Sequence, residues 1–80
     1  MEPVRVRLFA AAREAAGTSE TTVEAATVGD LLDALSRRFV ELGPVLTRCS
    51  ILLEGVRTTD RAVAIEPGGT VDVLPPYAGG

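Results

Sequence analysis

Residues 27–44 read Thr-Val-Gly-Asp-Leu-Leu-Asp-Ala-Leu-Ser-Arg-Arg-Phe-Val-Glu-Leu-Gly-Pro, and the number of helices in this chain turns on them. Val28, Leu31, Leu32, Leu35 and Phe39 recur at i, i+3, i+4 spacing, while Asp33, Ser36 and Arg37 fall on the other side. That period marks an amphipathic helix laying one apolar stripe on a core. Thr27 supplies a capping hydroxyl. Asp30, three residues on, completes a variant capping box and places a carboxylate near the positive end of the helix dipole. Gly43-Pro44 reads as the stop. One helix over residues 28–41 is expected.

Upstream of it, Val4, Val6 and Leu8 alternate with Arg5, Arg7 and Phe9, the period-two pattern of a half-buried strand. Gly17-Thr18-Ser19 is turn chemistry, and residues 21–24 (Thr-Thr-Val-Glu) read as a second strand. Between them, residues 10–16 (Ala-Ala-Ala-Arg-Glu-Ala-Ala) have helix-forming composition and predict a turn or a short helical piece. Downstream, Ser50–Glu54 reads as a strand, Gly55 as a turn and Val56–Thr58 as a weaker extended piece. Pro67-Gly68-Gly69 is a tight turn, and Thr70–Leu74 alternates again. Strand–strand–helix–strand–strand predicts an α+β fold, a β-grasp (ubiquitin-like) roll with the helix covering one face of a mixed sheet. A ferredoxin-like fold needs a second long helix, and residues 44–49 and 59–66 are too short for one.

Eighty residues make one domain, and a chain of that size buries roughly 60% of its unfolded surface. Residues 1–74 form the expected body. Pro75 and Pro76 cannot donate to a strand ladder, so pairing should end there, leaving residues 75–80 as an extended tail that reaches about 20 Å. Cys49 is the lone cysteine, no charged-then-apolar leader opens the chain, and no apolar run approaches the ~20 residues of a membrane span. A cytoplasmic protein without membrane contact is expected. The net charge of −3, with the arginines scattered, argues against nucleic acid as a partner.

The same composition narrows the chemistry. Histidine is absent, which removes the commonest general base and metal ligand. Asp30, Asp33, Glu41, Glu54, Asp60, Glu66 and Asp72 show no metal spacing and read as solvated surface charges. Gly68-Gly69 links strand to strand, unlike a phosphate-binding loop. Cys49 has no histidine to activate it and reads as a partly buried core residue. No metal or cofactor is expected to bind. The remaining chemical group is the terminal carboxylate of Gly80, which Gly79 and Gly80 leave unhindered and able to thread a narrow channel. A carboxylate becomes electrophilic once ATP on a separate enzyme converts it to an acyl-adenylate.

Three stretches resemble the MoaD family, the small subunits of molybdopterin synthase. Leu8-Phe9-Ala10-Ala11-Ala12-Arg13-Glu14-Ala15-Ala16-Gly17 is similar to its opening signature, and Thr27-Val28-Gly29-Asp30-Leu31-Leu32 to the start of its helix. Residues 67–80, ending Leu74-Pro75-Pro76-Tyr77-Ala78-Gly79-Gly80, resemble its closing motif. Residues 46–50, just before the third strand, resemble the actinobacterial-type members. The resemblance implies a non-catalytic, sulfur-donating subunit. Gly80 would be adenylated by a ubiquitin-activating-type (MoeB-like) enzyme using ATP, then converted to a thiocarboxylate with sulfur from a donor protein. The tail, Pro75 to Gly80, would insert into a large subunit (MoaE-like) that passes the sulfur to precursor Z. Two positions depart from the family pattern: Glu54-Gly55 stands where many members have an Asn-Gly turn, and Leu74 where Phe is frequent.

Strand phase adds a docking expectation. With Val4, Val6 and Leu8 facing the helix, Phe9 lies on the opposite face, and Leu74 is out of phase with Val71 and Val73. Phe9 and Leu74 would form an apolar patch beside the tail, rimmed by Arg5 and Arg7. The alternatives are a sulfur carrier for thiamine (the ThiS type) or cysteine biosynthesis, a modifier joined through Gly80 to target lysines, and a binding module with an inert tail. The chain has no lysine, so as a modifier it could extend itself only through its N-terminal amine.

Overall fold

The alternation at the start of the chain becomes strand β1 (Val4–Leu8), with Val4, Val6 and Leu8 buried and Arg5 and Arg7 exposed. The computed structural model describes residues 2–76. After β1 come helix α1 (Ala10–Ala16), strand β2 (Glu20–Val23), helix α2 (Val28–Arg38) and the short helix α3 (Leu42–Leu46). Strands β3 (Ser50–Leu53), β4 (Val56–Thr58) and β5 (Thr70–Leu74) follow. The five strands form one sheet in the order β2-β1-β5-β3-β4. β1 and β5 run parallel, and the other neighbours are antiparallel. This is the β-grasp arrangement, a mixed sheet with its helices on one face.

The core lies between that face and the helices. Val4, Val6, Leu8, Val71 and Val73 rise from the two central strands to meet Leu31 and Leu35 of α2, Leu42 of α3 and Ala12 of α1. Each fully buried Val or Leu contributes roughly 1.5–3 kcal/mol of transfer free energy. α1 is the short helical piece expected between the hairpin strands. Gly17 closes it in the left-handed region (φ 76°), its N–H donating to Arg13 O at 2.8 Å.

The start of α2 is tied down by a loop distant in sequence. Thr27 Oγ1 accepts from the Asp30 N–H at 3.1 Å, as the capping pattern predicts. The reciprocal bond from the Asp30 carboxylate is absent among the described residues. Instead, Val28 N–H donates to Val63 O (3.0 Å), Gly29 N–H to Arg61 O (2.8 Å) and Ile65 N–H to Ala26 O (2.9 Å). Backbone carbonyls thus satisfy the Val28 and Gly29 donors, and the Thr27 hydroxyl that of Asp30. Gly29 permits this approach, because a Cβ there would sit 3.1 Å from Arg61 Cβ and 3.2 Å from its carbonyl.

The end of α2 corrects the expected range of 28–41. The helix stops at Arg38, and Phe39 is already extended (φ −123°, ψ 95°). Gly43-Pro44 does not end a helix but lies in the first turn of α3, where the missing proline N–H is not required. The reason is one of length. Eleven helical residues span about 16 Å, close to the roughly 17 Å of a five-residue strand. A longer helix would overrun the sheet, whereas the turn at residues 39–41 brings Leu42 back to full burial.

Candidate functional site

The tail residues singled out in the sequence, Tyr77, Ala78, Gly79 and Gly80, lie outside the described residues. What the structure gives is the platform from which they continue. β5, the last strand, is central, with β1 on one side and β3 on the other. Its ladder ends with Leu74 opposite Ser50, and Pro75 and Pro76 follow without strand pairing. The chain therefore leaves the body from the middle of the sheet.

The sheet face away from the helices is open, and its side chains form transverse rows. Nearest the tail, Phe9 continues β1 by donating its N–H to Val73 O (3.2 Å), which sets it beside Leu74 and Ser50. Phe9 is 40% exposed and Leu74 partly so. The next row crosses all five strands in register: Glu20, Arg7, Asp72, Leu52 and Arg57. The third holds Thr22, Arg5 and Thr70. Strand phase thus places Phe9 and Leu74 together on the open face, with Arg5 and Arg7 on the same side.

Those arginines are not a loose rim. Arg7 grips Asp72 with two bonds, Nε to Oδ1 at 2.7 Å and Nη2 to Oδ2 at 2.9 Å. The Asp72 side chain is only 14% exposed, so it is not the solvated surface acid expected from sequence. Its hydrogen bonds, and then its charge, push the Arg7 pKa further up. Arg5 pairs with Glu20 at 3.1 Å. Leu52, partly buried on this face, is a member of the patch that sequence reasoning missed. Its alternation within Ser50–Leu53 was the available signal, masked by the run of three apolar residues.

Three other acids also have partners, Asp60 among them, whose Oδ1 accepts from the Ala62 N–H at 2.9 Å. Asp33 holds Arg61 (2.8 Å), and Glu54 Oε2 accepts from the Thr70 N–H (2.8 Å). The Cys49 thiol is half-buried and donates to Val45 O at 3.2 Å; burial pushes its pKa up, against a smaller opposing effect of Arg48. A raised pKa and an occupied proton make it a poor nucleophile. No cluster of three or more Cys, Asp or Glu able to hold a metal occurs among the described residues. No helix among them is long and apolar enough to cross a membrane.

Comparison with known proteins assigns the family. The model described as "ThiS family" matches residues 6–80. The chain belongs to the ThiS family. This is a family of ubiquitin-like sulfur carriers and modifiers, and the match runs from β1 through Gly80. The chain is similar to small archaeal modifier protein 3 of Haloferax volcanii, at 34% identity over 90 residues, covering 96% of this chain and 98% of that one. It is also similar to the crystal structure of small archaeal modifier protein 1 from the same organism, at 29% identity and a TM-score of 0.86, with 98% and 99% of the chains covered. A complex of subunits 1 and 2 of the molybdopterin-converting factor from Helicobacter pylori matches at 23% identity and a TM-score of 0.75. It covers 98% of this ThiS-family chain and 99% of its own, and supports the fold alone.

Proposed function

We propose that this ThiS-family protein is a sulfur carrier whose Gly80 carboxylate is adenylated with ATP by a ubiquitin-activating-type enzyme and then converted to a thiocarboxylate. The observation that carries this reading is a family match running from residue 6 through Gly80, on a chain without histidine whose one cysteine donates its proton to Val45 O. Adenylation supplies the leaving group: the carboxylate oxygen attacks the α-phosphate of ATP, pyrophosphate departs, and a sulfur nucleophile displaces AMP from the acyl carbon. Gly79 and Gly80 pass the catalytic channel of the activating enzyme, and Pro75, Pro76, Tyr77 and Ala78 span from the sheet to it. The opening and closing motifs favour molybdopterin synthesis, in which a MoaE-like large subunit binds the open face through Phe9 and Leu74 and transfers the sulfur to precursor Z.

The test is the intact mass after incubation with the activating enzyme, ATP and a sulfur donor. The mass should rise by the difference between sulfur and oxygen, and deleting Gly80 should abolish the gain. An unchanged mass overturns the reading. Conversion of precursor Z by the thiocarboxylated chain plus the large subunit then assigns the pathway.

A second reading has its own support. Both Haloferax relatives are named modifiers, and at 34% and 29% identity they fit a protein joined through Gly80 to target lysines. Cell proteins carrying a Gly-Gly remnant from this chain on lysine would establish it.

A further inference from the structure

The open face carries charge where a docking surface would be expected to be apolar, and the arrangement of that charge defines the partner. Arg7 and Asp72 sit on the two central strands, next to the Phe9–Leu74 row and beside Leu52. Any protein that covers Phe9 and Leu74 also covers this pair. Removing an ion from water is expensive unless it is paired and hydrogen-bonded, and breaking such a pair leaves an uncompensated charge. Here the two bonds, 2.7 and 2.9 Å, exist before any partner arrives. Arg5 and Glu20 repeat the pattern one strand outward at 3.1 Å. Among the described residues, Arg57 on the edge strand is the open-face cation with no carboxylate partner.

We propose that the open face receives a protein surface that is apolar at its centre and presents no charge opposite Arg7 and Asp72, the pair being neutralised in advance by this chain itself. The inference rests on the carrier reading for the existence of a docking partner and adds what that partner must look like. Two consequences follow. Binding should depend little on salt, because no cross-interface ion pair is formed at the centre. Arg7 and Asp72 should also matter as a unit rather than singly: neither is needed for its own charge, but each is needed to cancel the other.

The experiment measures affinity for the MoaE-like large subunit, by calorimetry, for the full chain and three variants. For the parent, affinity should change less than about threefold between low and high salt, since no ion pair crosses the interface at its centre for salt to screen. Asp72→Asn, which leaves Arg7 uncancelled, should weaken binding about tenfold or more. Arg7→Met should do likewise. The double variant Arg7→Met/Asp72→Leu should return to within about threefold of the parent, as replacement of a covered pair by apolar groups is close to neutral. Thermal melting of each variant confirms folding, and the double variant keeps the test decisive should a single variant melt early. Affinity that collapses with salt, an Asp72→Asn variant that binds normally, or a double variant as weak as the singles would overturn the proposal. Mass gain on Gly80 of the parent, read in parallel, separates the two ideas. If sulfur is gained while any of these failures occurs, the neutralised face is wrong and the carrier stands. If no sulfur is gained and the large subunit does not bind, both fall.

Discussion

Glu54 carries two duties within one residue. It occupies the left-handed region (φ 50°) ahead of Gly55 (φ 83°), the backbone of a two-residue hairpin that usually recruits Asn-Gly. Its N–H donates to Thr70 O (3.0 Å) while its carboxylate accepts from the Thr70 N–H (2.8 Å). The side chain thus caps the first residue of the central strand β5, which explains a long acid at a strained position. Glu54→Ala should destabilise the fold by about 1–2 kcal/mol, and Glu54→Gln by less, in chemical denaturation. Equal losses for the two would dismiss the cap. That a turn stands at Glu54-Gly55 is readable from the residues; its carboxylate partner, sixteen positions away, is not. Cys49 gives a pH signature. Its folded pKa is raised by burial, so the thiolate is scarcer in the folded chain than in the unfolded one. Stability from this group is therefore complete below the unfolded pKa and is lost as pH rises through the higher folded value. At about pH 8, just below the free-thiol value, iodoacetamide should label the native chain more slowly than the denatured one. Equal rates would contradict the shielding.

At the scale of elements, periodicity locates the strands and helices well, because the buried faces repeat at 2.0 and 3.6 residues. Where it fails is the end of α2. Phe39 and Leu42 both continue the stripe begun at Val28, so nothing in the pattern shows that the helix breaks between them. The limit comes from the sheet, whose length is a tertiary property. Gly43-Pro44 misled for the same reason, since proline suits the first turn of one helix as well as the end of another. Leu42 is the residue on which α3 turns inward, with no exposed surface. Leu42→Ala should cost about 2–5 kcal/mol and lower the melting temperature sharply. A shift of a degree or two would mean that α3 is not part of the cooperative core.

For the whole molecule, the open face and the tail should separate stability from association. Phe9→Asp with Leu74→Asp should weaken binding to the large subunit while the melting transition changes little, because neither residue belongs to the buried core. Unaltered affinity would remove the face from the docking surface. The position of this patch was legible from strand phase alone. The Arg7–Asp72 pair beside it was not: the two residues stand 65 positions apart and meet only because β1 and β5 are parallel neighbours.

That parallel pairing also bears on how the protein is made. The middle strand of the sheet is the last to be synthesised, and β1 must wait for it with one side unpaired. A nascent chain cut short before residue 74 lacks the strand that joins the two halves of the sheet, as well as the terminus that would be activated. Closure of the sheet therefore waits until synthesis has reached the tail. The order of the strands thus ties completion of the fold to completion of the last strand made.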